Sequence, residues 1–312
     1  MAAVTPQLIR DLRERTQAGM SDCKNALVEA QGDIDKAVEI ILKKGLAKVA
    51  KRATAVAMEG EIRATILENG RAGVLVEINI QTDFAAKNDK FRAFVDDTNA
   101  AAVKVKSLDE LLKAKLPNGK TVEATRDELI AAIGEKIEVR RFARLNLEAP
   151  AGRIHSYVHM NGKIGVLLAT AAETEAVASH PAFVKFVDDV AMQVAAMSPA
   201  YLDRTQVPEA ELAKQREIYV EQIKGDPKPK PEAAWPKIIE GKVAKWYTEI
   251  CLVDQQSVIE TNKSVEEVRA EAAKAAGGSV KLLGFVRFAL GEGLQKKEDD
   301  FAAEAKRMAG TE

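Results

Sequence analysis

Aromatic residues are scarce in this sequence, which has 2 Trp, 4 Tyr and 9 Phe among 312 residues, so an exposed aromatic side chain would stand out. No apolar run reaches the length of a membrane span. The first residues, MAAVTPQLIR, lack an apolar signal core. The 46 basic residues nearly cancel the 47 acidic ones, so no global positive field favours nucleic acid. These absences predict a cytoplasmic protein that binds neither nucleic acid directly nor a membrane.

Residues that usually carry chemistry are also few. The two cysteines, Cys23 and Cys251, lie far apart and fit small buried thiols in a reducing compartment better than a disulfide framework. Three histidines, without a Cys/His cluster, offer no zinc spacing, and no phosphate loop or nucleophile elbow is present. We therefore predict no enzyme, no catalytic residue, no metal and no cofactor, with an enzyme of unrecognised site as the weakest alternative.

The first 45 residues have the sequence signals of three short helices. Thr5 and Pro6 suit a helix start, and Ser21 is a candidate cap of the second helix. Asp33 is a candidate cap of the third helix, which Gly45 is predicted to end. Three such helices resemble the ubiquitin-associated-like (UBA-like) fold. A module this small is marginal alone, so it is expected to dock on something or to hold a partner.

The middle of the chain contains an internal repeat. Residues 60–75 and 152–167 align without a gap at a constant offset of 92, and each copy has an Asn-Gly pair between two alternating runs. This pattern predicts a β-hairpin whose turn residues have positive φ. At the same offset, phenylalanines spaced three apart predict a buried helix face, and adjacent acidic residues predict a solvated one. The matched positions are Gly60/Gly152, Asn69/Asn161, Gly70/Gly162, Phe91/Phe183, Phe94/Phe186, Asp96/Asp188 and Asp97/Asp189.

Each copy ends in a predicted returning strand, IEVRRFARLNL (137–147) in the first and VKLLGFVRFAL (280–290) in the second. Before the second return, two helical stretches, 208–225 and 232–252, predict an antiparallel helical hairpin. The DPKPKP turn between them is either a phosphate contact or, as we prefer, a solvated loop.

The predicted fold class is α+β. It comprises an N-terminal three-helix UBA-like module, a duplicated α+β core with small antiparallel sheets, an inserted antiparallel helical hairpin and a C-terminal helical module. The predicted boundaries are 1–45 for the UBA-like module, 46–58 for a helical connector, 59–149 for the first core subdomain, 150–204 with 276–293 for the second, 205–275 for the insertion and the following helix, and 294–312 for the C-terminal module.

The two copies differ most informatively where TDF (82–84) falls opposite TEA (174–176). The Thr is the same in both copies and the Asp is replaced by another acidic residue, Glu, but the Phe is replaced by Ala. A Phe that filled the core should be needed in both copies, because its loss would leave a cavity. The comparison therefore favours a Phe84 that enters another molecule. A core side chain whose loss was offset by other changes is the alternative.

Four ordered motifs, covering essentially the whole chain, identify a family resemblance. They are LRERTQAGMSDCKNAL (12–27), TDFAAKNDKF (82–91), GRIHSYVHMNGKIGVLL (152–168) and GFVRFALGEG (284–293). In this order and at compatible spacing they resemble the elongation factor Ts family, whereas TDF alone would be a weak signal.

The resemblance implies a guanine nucleotide exchange factor. Such a factor binds elongation factor Tu carrying GDP during translation elongation and promotes GDP release by displacing the magnesium ion and loosening the nucleotide site. It also implies that a loop reaches the partner's GTPase domain, where the Phe enters between helices near the nucleotide. The corresponding positions are Thr82, Asp83, Phe84 and Ala85.

Further contacts are implied outside this loop. Arg13 and Met20 of the N-terminal module match residues that contact the same GTPase domain, and His159 matches a residue near the partner's other domains. Gln81 and Ala85 stand where the family often has Glu and Val, which leaves the Phe intact but alters the packing of the loop. A homodimer or a two-plus-two complex with elongation factor Tu stays open.

The alternative function is a UBA-like scaffold that binds peptides or ubiquitin-like ligands. The core that carries TDF argues against this alternative, because a scaffold of that kind would not need it.

Overall fold

The computed structural model describes residues 4–16, 18–52, 54–226 and 230–295, and the chain has the predicted α+β architecture. It divides into two compact units. Unit 1 comprises Met1–Arg63, Val76–Phe142 and Ala289–Glu312, and unit 2 comprises Ala64–Leu75 and Ala143–Phe288.

Three helices at the N-terminus form the predicted module. They are α1 (Pro6–Thr16), α2 (Met20–Glu29) and α3 (Ile34–Arg52). The hydroxyl of Thr5 accepts a hydrogen bond from the Leu8 N–H (3.2 Å), and the Asp33 carboxylate accepts one from the Lys36 N–H (3.1 Å), as expected of helix caps. Their shared core includes the fully buried Leu12 and Leu27.

Two predictions within this module are wrong. Ser21 does not cap α2, because that helix begins one residue earlier, after the extended Gly19. Gly45 does not end α3, which continues to Arg52. A Cβ at Gly45 would lie 3.1 Å from the Cβ of Ala131, so this glycine permits close packing of α3 on a helix of unit 1. Close packing and helix termination both select glycine, and the sequence alone did not separate them.

The duplicated core follows, and each copy consists of a β-hairpin, a series of helices and a returning strand, with one more helix in the second copy. The first copy contains β1 (Glu59–Leu67), β2 (Ala72–Ile80), α4 (Asp83–Ala86), α5 (Asp89–Ala102), α6 (Leu108–Lys113), α7 (Val122–Ile133) and β3 (Ile137–Asn146). The second contains β4 (Gly152–His159), β5 (Ile164–Ala172), α8 (Glu175–Ser179), α9 (Pro181–Met197), α10 (Glu209–Lys224), α11 (Trp235–Ile250), α12 (Val265–Ala276) and β6 (Val280–Ala289).

Within the described residues, the strands form two separate three-stranded sheets of order β1-β2-β3 and β4-β5-β6. In the second sheet β4 runs antiparallel to β5, with Gly152 opposite Ala171 and His159 opposite Ile164. Both Asn-Gly pairs have positive φ, as predicted: 54° at Asn69 and 52° at Asn161. Each turn also includes the preceding residue in the same left-handed region, so it is longer than a two-residue hairpin turn.

Both copies have a glycine at the point where the first strand of the hairpin lies close to the backbone of the second. Gly60 and Gly152 have φ of +127° and +130°. A Cβ there would lie 2.1 Å from the carbonyl oxygen of Ile78 and 2.2 Å from that of Thr170, respectively. Only glycine permits this approach of neighbouring strands, so the match of these glycines has a steric cause.

The helical phenylalanines are buried as predicted. Phe91 and Phe94 of α5 are buried in unit 1, and Phe183 and Phe186 of α9 are buried in unit 2. In unit 2 the phenylalanines of α9 pack with Val166 and Leu168 of β5 and with apolar residues of α12. The second copy therefore places a helix face against its own sheet.

Asp96 and Asp188 are solvated as predicted, with side chains 67% and 50% exposed, and each also lies close to a basic side chain. Asp96 lies 3.0 Å from Arg63 across the first copy, and Asp188 lies 3.2 Å from His155 across the second. Arg63 and His155 are equivalent in the repeat, so a contact between this strand position and the acidic helix position is retained with a different basic residue.

The insertion contains α10 and α11, which pack on each other as a helical pair. Val243 and Trp246 are the buried residues of α11. Part of the Lys/Pro turn, residues 227–229, and nearly all of the predicted C-terminal module lie outside the described residues.

Unit 1 contains a buried carboxylate. Glu77 of β2 is fully buried and accepts hydrogen bonds from Arg140 (3.0 Å), from Arg141 and from the Gly291 N–H (2.9 Å). The charge thus joins β2, β3 and the GEG segment that follows β6. The glycine that begins this segment has a structural reason: Gly291 has φ of +72°, and a Cβ there would lie 2.9 Å from the carbonyl oxygen of Met58.

None of the helices in the described ranges is long and apolar enough to cross a membrane.

The partly buried His155 beside Asp188 predicts a pH effect on stability. Burial lowers the pKa of His155 and outweighs the opposing effect of Asp188. The unfolded chain therefore takes up a proton at a higher pH than the folded chain does. The stability due to neutral His155 is present above the unfolded pKa of about 6.5 and is lost as pH falls through the folded pKa.

We expect the free energy of unfolding to fall more between about pH 7.5 and about pH 5 in the wild type than in His155→Gln, which cannot titrate. Urea denaturation across this range measures the difference. Parallel curves for the two proteins would contradict the assignment.

Candidate functional site

The Phe84 side chain is 82% exposed, which makes it the least buried large apolar residue of the described chain. It lies in the short helix α4, directly after β2, on a segment that we call the Phe84 turn (residues 82–87). The alternative in which Phe84 fills the core is therefore wrong. In the second copy Ala176 is also exposed, so this position points outward in both copies and its change to Ala leaves no cavity.

The retained threonine caps the helix in each copy. The Thr82 hydroxyl oxygen accepts a hydrogen bond from the Ala85 N–H (3.2 Å), and that of Thr174 accepts one from the Val177 N–H (3.3 Å). Ala85 is buried, as is the equivalent Val177, so this position faces inward while Phe84 faces solvent. The smaller side chain of Ala85 keeps that inward contact with less volume.

A second segment of unit 1 holds the start of the turn. The Thr82 N–H and hydroxyl both donate to the carboxylate of Glu135, at 3.0 and 2.8 Å. In return, the Lys136 N–H donates to Oε1 of Gln81 (2.8 Å). Sequence reasoning missed Glu135, and comparing the residues just before the two returning strands would have drawn attention to it.

Charged side chains flank the exposed ring. Asp83 and Lys87 form an exposed ion pair of 2.9 Å, and the hydrogen bond from Lys87 is the main cause that lowers the pKa of Asp83. The ammonium of Lys87 lies 5.6 Å from the centroid of the Phe84 ring. An exposed ion pair of this kind adds little to stability. The apolar ring and the charges that flank it at the surface are therefore not explained by the stability of the fold.

The other predicted site residues are on the surface too. Arg13 of α1 is exposed, and Met20, the first residue of α2, is 51% exposed. Both belong to unit 1 with the Phe84 turn. The interior side of this module is formed by Leu12, Cys23 and other small or aliphatic residues. Arg13 and Met20 are therefore available for contacts with another molecule.

His159 belongs to unit 2, where it is the last residue of β4 and is exposed. Its Nδ1 lies 2.9 Å from the hydroxyl of Tyr157, and the two rings stack with centroids 5.8 Å apart. Val158 and Met160 beside it are exposed as well. The end of this hairpin thus presents an apolar surface with one ordered imidazole.

The described residues contain no group of His, Cys, Asp and Glu side chains that could hold a metal ion. Both cysteines are buried and free, and burial raises the pKa of Cys251 to about 11. A thiol with that pKa is protonated at neutral pH and is a poor nucleophile.

A protein-family model described as Elongation factor TS matches residues 81–292, a range that begins immediately before the Phe84 turn. The chain belongs to the elongation factor Ts family. Members of this family act as nucleotide exchange factors for elongation factor Tu in translation elongation, and membership implies that role for the chain.

Full-length relatives agree with the family model. An elongation factor Ts of a Nitratiruptor species is 45% identical over 304 residues, which cover 97% of this chain and 98% of the relative. One of Trichlorobacter lovleyi is 43% identical, with 99% of each chain covered. One of Clostridium perfringens is 41% identical, with 98% and 99% covered. Similarity at this coverage includes the N-terminal module, which the family model does not.

Because the Phe84 ring is exposed, we expect Phe84→Ala to keep the free energy of unfolding within about 0.5 kcal/mol of the wild type. The matched control is Phe91→Ala, at a fully buried Phe on the next helix, which should cost about 3–5 kcal/mol. Chemical denaturation of both variants tests this. A loss above about 2 kcal/mol in Phe84→Ala would mean that the ring packs within the fold.

Proposed function

We propose that this chain accelerates GDP release from elongation factor Tu by inserting Phe84 between helices of the partner's GTPase domain. The insertion shifts the groups that hold the magnesium ion and loosens the nucleotide site. The observation that carries this proposal is the 82% exposure of Phe84 on a turn whose cap is hydrogen-bonded. A large apolar ring held in solvent gains free energy only when another molecule covers it.

The other residues of the turn have distinct roles in this proposal. Thr82 caps the helix, Ala85 anchors it inward, and Asp83 meets polar groups of the GTPase domain. P-loop GTPases hold their nucleotide through backbone donors, a Lys and a magnesium ion that bridges the phosphates. A side chain that displaces the segments around that ion weakens several of these contacts together.

Phe84 needs anchoring contacts elsewhere. A roughly thousandfold acceleration of release corresponds to about 4 kcal/mol. Burial of one Phe provides about 3 kcal/mol at most. Arg13 and Met20 on the N-terminal module and His159 on the β4–β5 hairpin are the residues that we propose to supply the remainder, the first two on the GTPase domain and the third on the partner's other domains.

In this proposal the chain performs no covalent chemistry, holds no cofactor of its own and acts in the cytoplasm. It contacts elongation factor Tu without direct contact to nucleic acid or membrane, as a homodimer, a two-plus-two complex or a simple pair. The UBA-like scaffold is not adopted as a second function, because the exposed Phe84 lies outside the three-helix module.

The test is the rate of release of a fluorescent GDP analogue from purified elongation factor Tu. We expect marked acceleration by the wild type and a loss of about ten- to hundredfold of that acceleration in Phe84→Ala. Ile259→Ala removes another exposed apolar side chain, in unit 2, and should keep wild-type activity. Failure of the wild type to accelerate release would overturn the proposed function, and full activity of Phe84→Ala would overturn the role of Phe84.

A further inference from the structure

We propose that Glu135 is a positioning residue for nucleotide exchange, which acts by fixing the Phe84 turn and not by contacting the partner. The proposal rests on the proposed function and names a residue that the family resemblance did not assign. One carboxylate accepts both hydrogen bonds that Thr82 donates, from its N–H at 3.0 Å and from its hydroxyl at 2.8 Å.

The hydroxyl of Thr82 explains why a carboxylate is suited to this place. A hydroxyl has one proton to donate and lone pairs that accept. With its proton directed at Glu135, the hydroxyl turns its lone pairs away from that carboxylate, and one of them accepts from the Ala85 N–H, which caps the helix. Glu135 therefore sets the orientation of the hydroxyl that starts α4, and a hydrogen bond to an ionised group is stronger than one between neutral groups.

The segment that carries Glu135 is itself fixed. Gly134 ends α7 in the left-handed conformation, with φ of 84°, which turns the chain from the helix toward β3. The next residue, Glu135, meets Thr82, and the Lys136 N–H donates to the side chain of Gln81 (2.8 Å). Three hydrogen bonds thus join residues 81–82 to residues 135–136, donated from both sides.

The second copy provides a natural comparison. Before its returning strand, the Ser279 N–H donates to Glu173 (2.8 Å), which corresponds to the contact of Lys136 with Gln81. Counted back from the strand in the same way, the position of Glu135 is occupied by Gly278. A Cβ there would lie 2.6 Å from the Cγ2 of Val177. The carboxylate at the position of Glu135 and the aromatic ring at the position of Phe84 are thus both present in the first copy and both absent from the second.

This joint difference indicates a purpose for the carboxylate. The helix α4 has four residues, and so short a helix is not stable by itself. The exposed ring of Phe84 adds no packing that could hold it. Without Glu135 the ring would sample more orientations, and ordering them on binding would weaken the complex. In the second copy an exposed Ala needs no such support.

The experiment measures release of the fluorescent GDP analogue with Glu135→Ala, Glu135→Gln, Phe84→Ala and the double variant Glu135→Ala/Phe84→Ala. We expect Glu135→Ala to lose about tenfold of the acceleration, as for a lost hydrogen bond to a charged group. Glu135→Gln should lose less, because its amide oxygen can accept from the Thr82 N–H. The double variant should be no slower than Phe84→Ala alone, because Glu135 acts through Phe84.

The matched control is Glu138→Ala, which removes a partly exposed carboxylate three residues further along the same segment, on β3, and should keep wild-type activity. Amide hydrogen exchange gives a second readout that does not need the partner. Glu135→Ala should speed exchange at residues 82–86 while protection of the β-sheet amides stays unchanged.

If the wild type accelerates GDP release and Glu135→Ala accelerates it equally well, the proposal for Glu135 is overturned while the proposed function stays intact. A further loss in the double variant beyond Phe84→Ala would also overturn it, because Glu135 would then act independently of the ring. If Glu135→Ala does not fold, the proposal depends on Glu135→Gln, and loss of sheet protection in that variant too would make the role merely structural. Absence of acceleration by the wild type would instead reject the proposed function.

Discussion

A phenylalanine ring surrounded by water gains no free energy from folding, so the backbone beneath it must fix its position. In this chain that backbone is a single helical turn, and its conformation depends on one hydroxyl, that of Thr82. The hydroxyl donates to Glu135 and accepts from the Ala85 N–H. The inward-facing Ala85 and the outward-facing Phe84 then follow from the helical geometry. The exposed site is thus positioned by hydrogen bonds together with the inward contact of Ala85.

The duplicated core shows which parts of this construction belong to the fold and which were added. Both copies share the glycine at the start of the hairpin, the buried helix face and the threonine cap. These features have steric or hydrogen-bonding causes that apply in both copies of the core. The ring of Phe84 and the carboxylate of Glu135 are absent from the second copy, which folds with Ala176 and Gly278 at those places. Under the proposed function, the ring is present for contact with the partner and the carboxylate for positioning the ring.

Much of the fold could be predicted from sequence because its signals are local or repeated. The alternation around each Asn-Gly pair predicted the hairpins, and the spacing of Phe91 and Phe94 predicted the buried face of α5. The errors arose where one residue type serves two purposes. Gly45 was predicted to end a helix, but it lies inside α3 and permits contact with Ala131. Glu135 could not be found from local pattern, because its partner lies 53 residues away in the sequence.

The proposed role of Phe84 requires that this residue contribute to binding only when the nucleotide site is disturbed. Coupling between two ligands of one protein is reciprocal, so a factor that weakens GDP binding must itself bind better when GDP is absent. The most direct measurement is the dissociation constant of the wild type and of Phe84→Ala for elongation factor Tu, both nucleotide-free and loaded with GDP. We expect Phe84→Ala to lose affinity mainly for the nucleotide-free partner. The ratio of the dissociation constant for the GDP-loaded partner to that for the nucleotide-free partner should therefore shrink by at least about tenfold. Equal losses of affinity for both forms would make Phe84 an ordinary binding residue and would contradict its proposed role in nucleotide release.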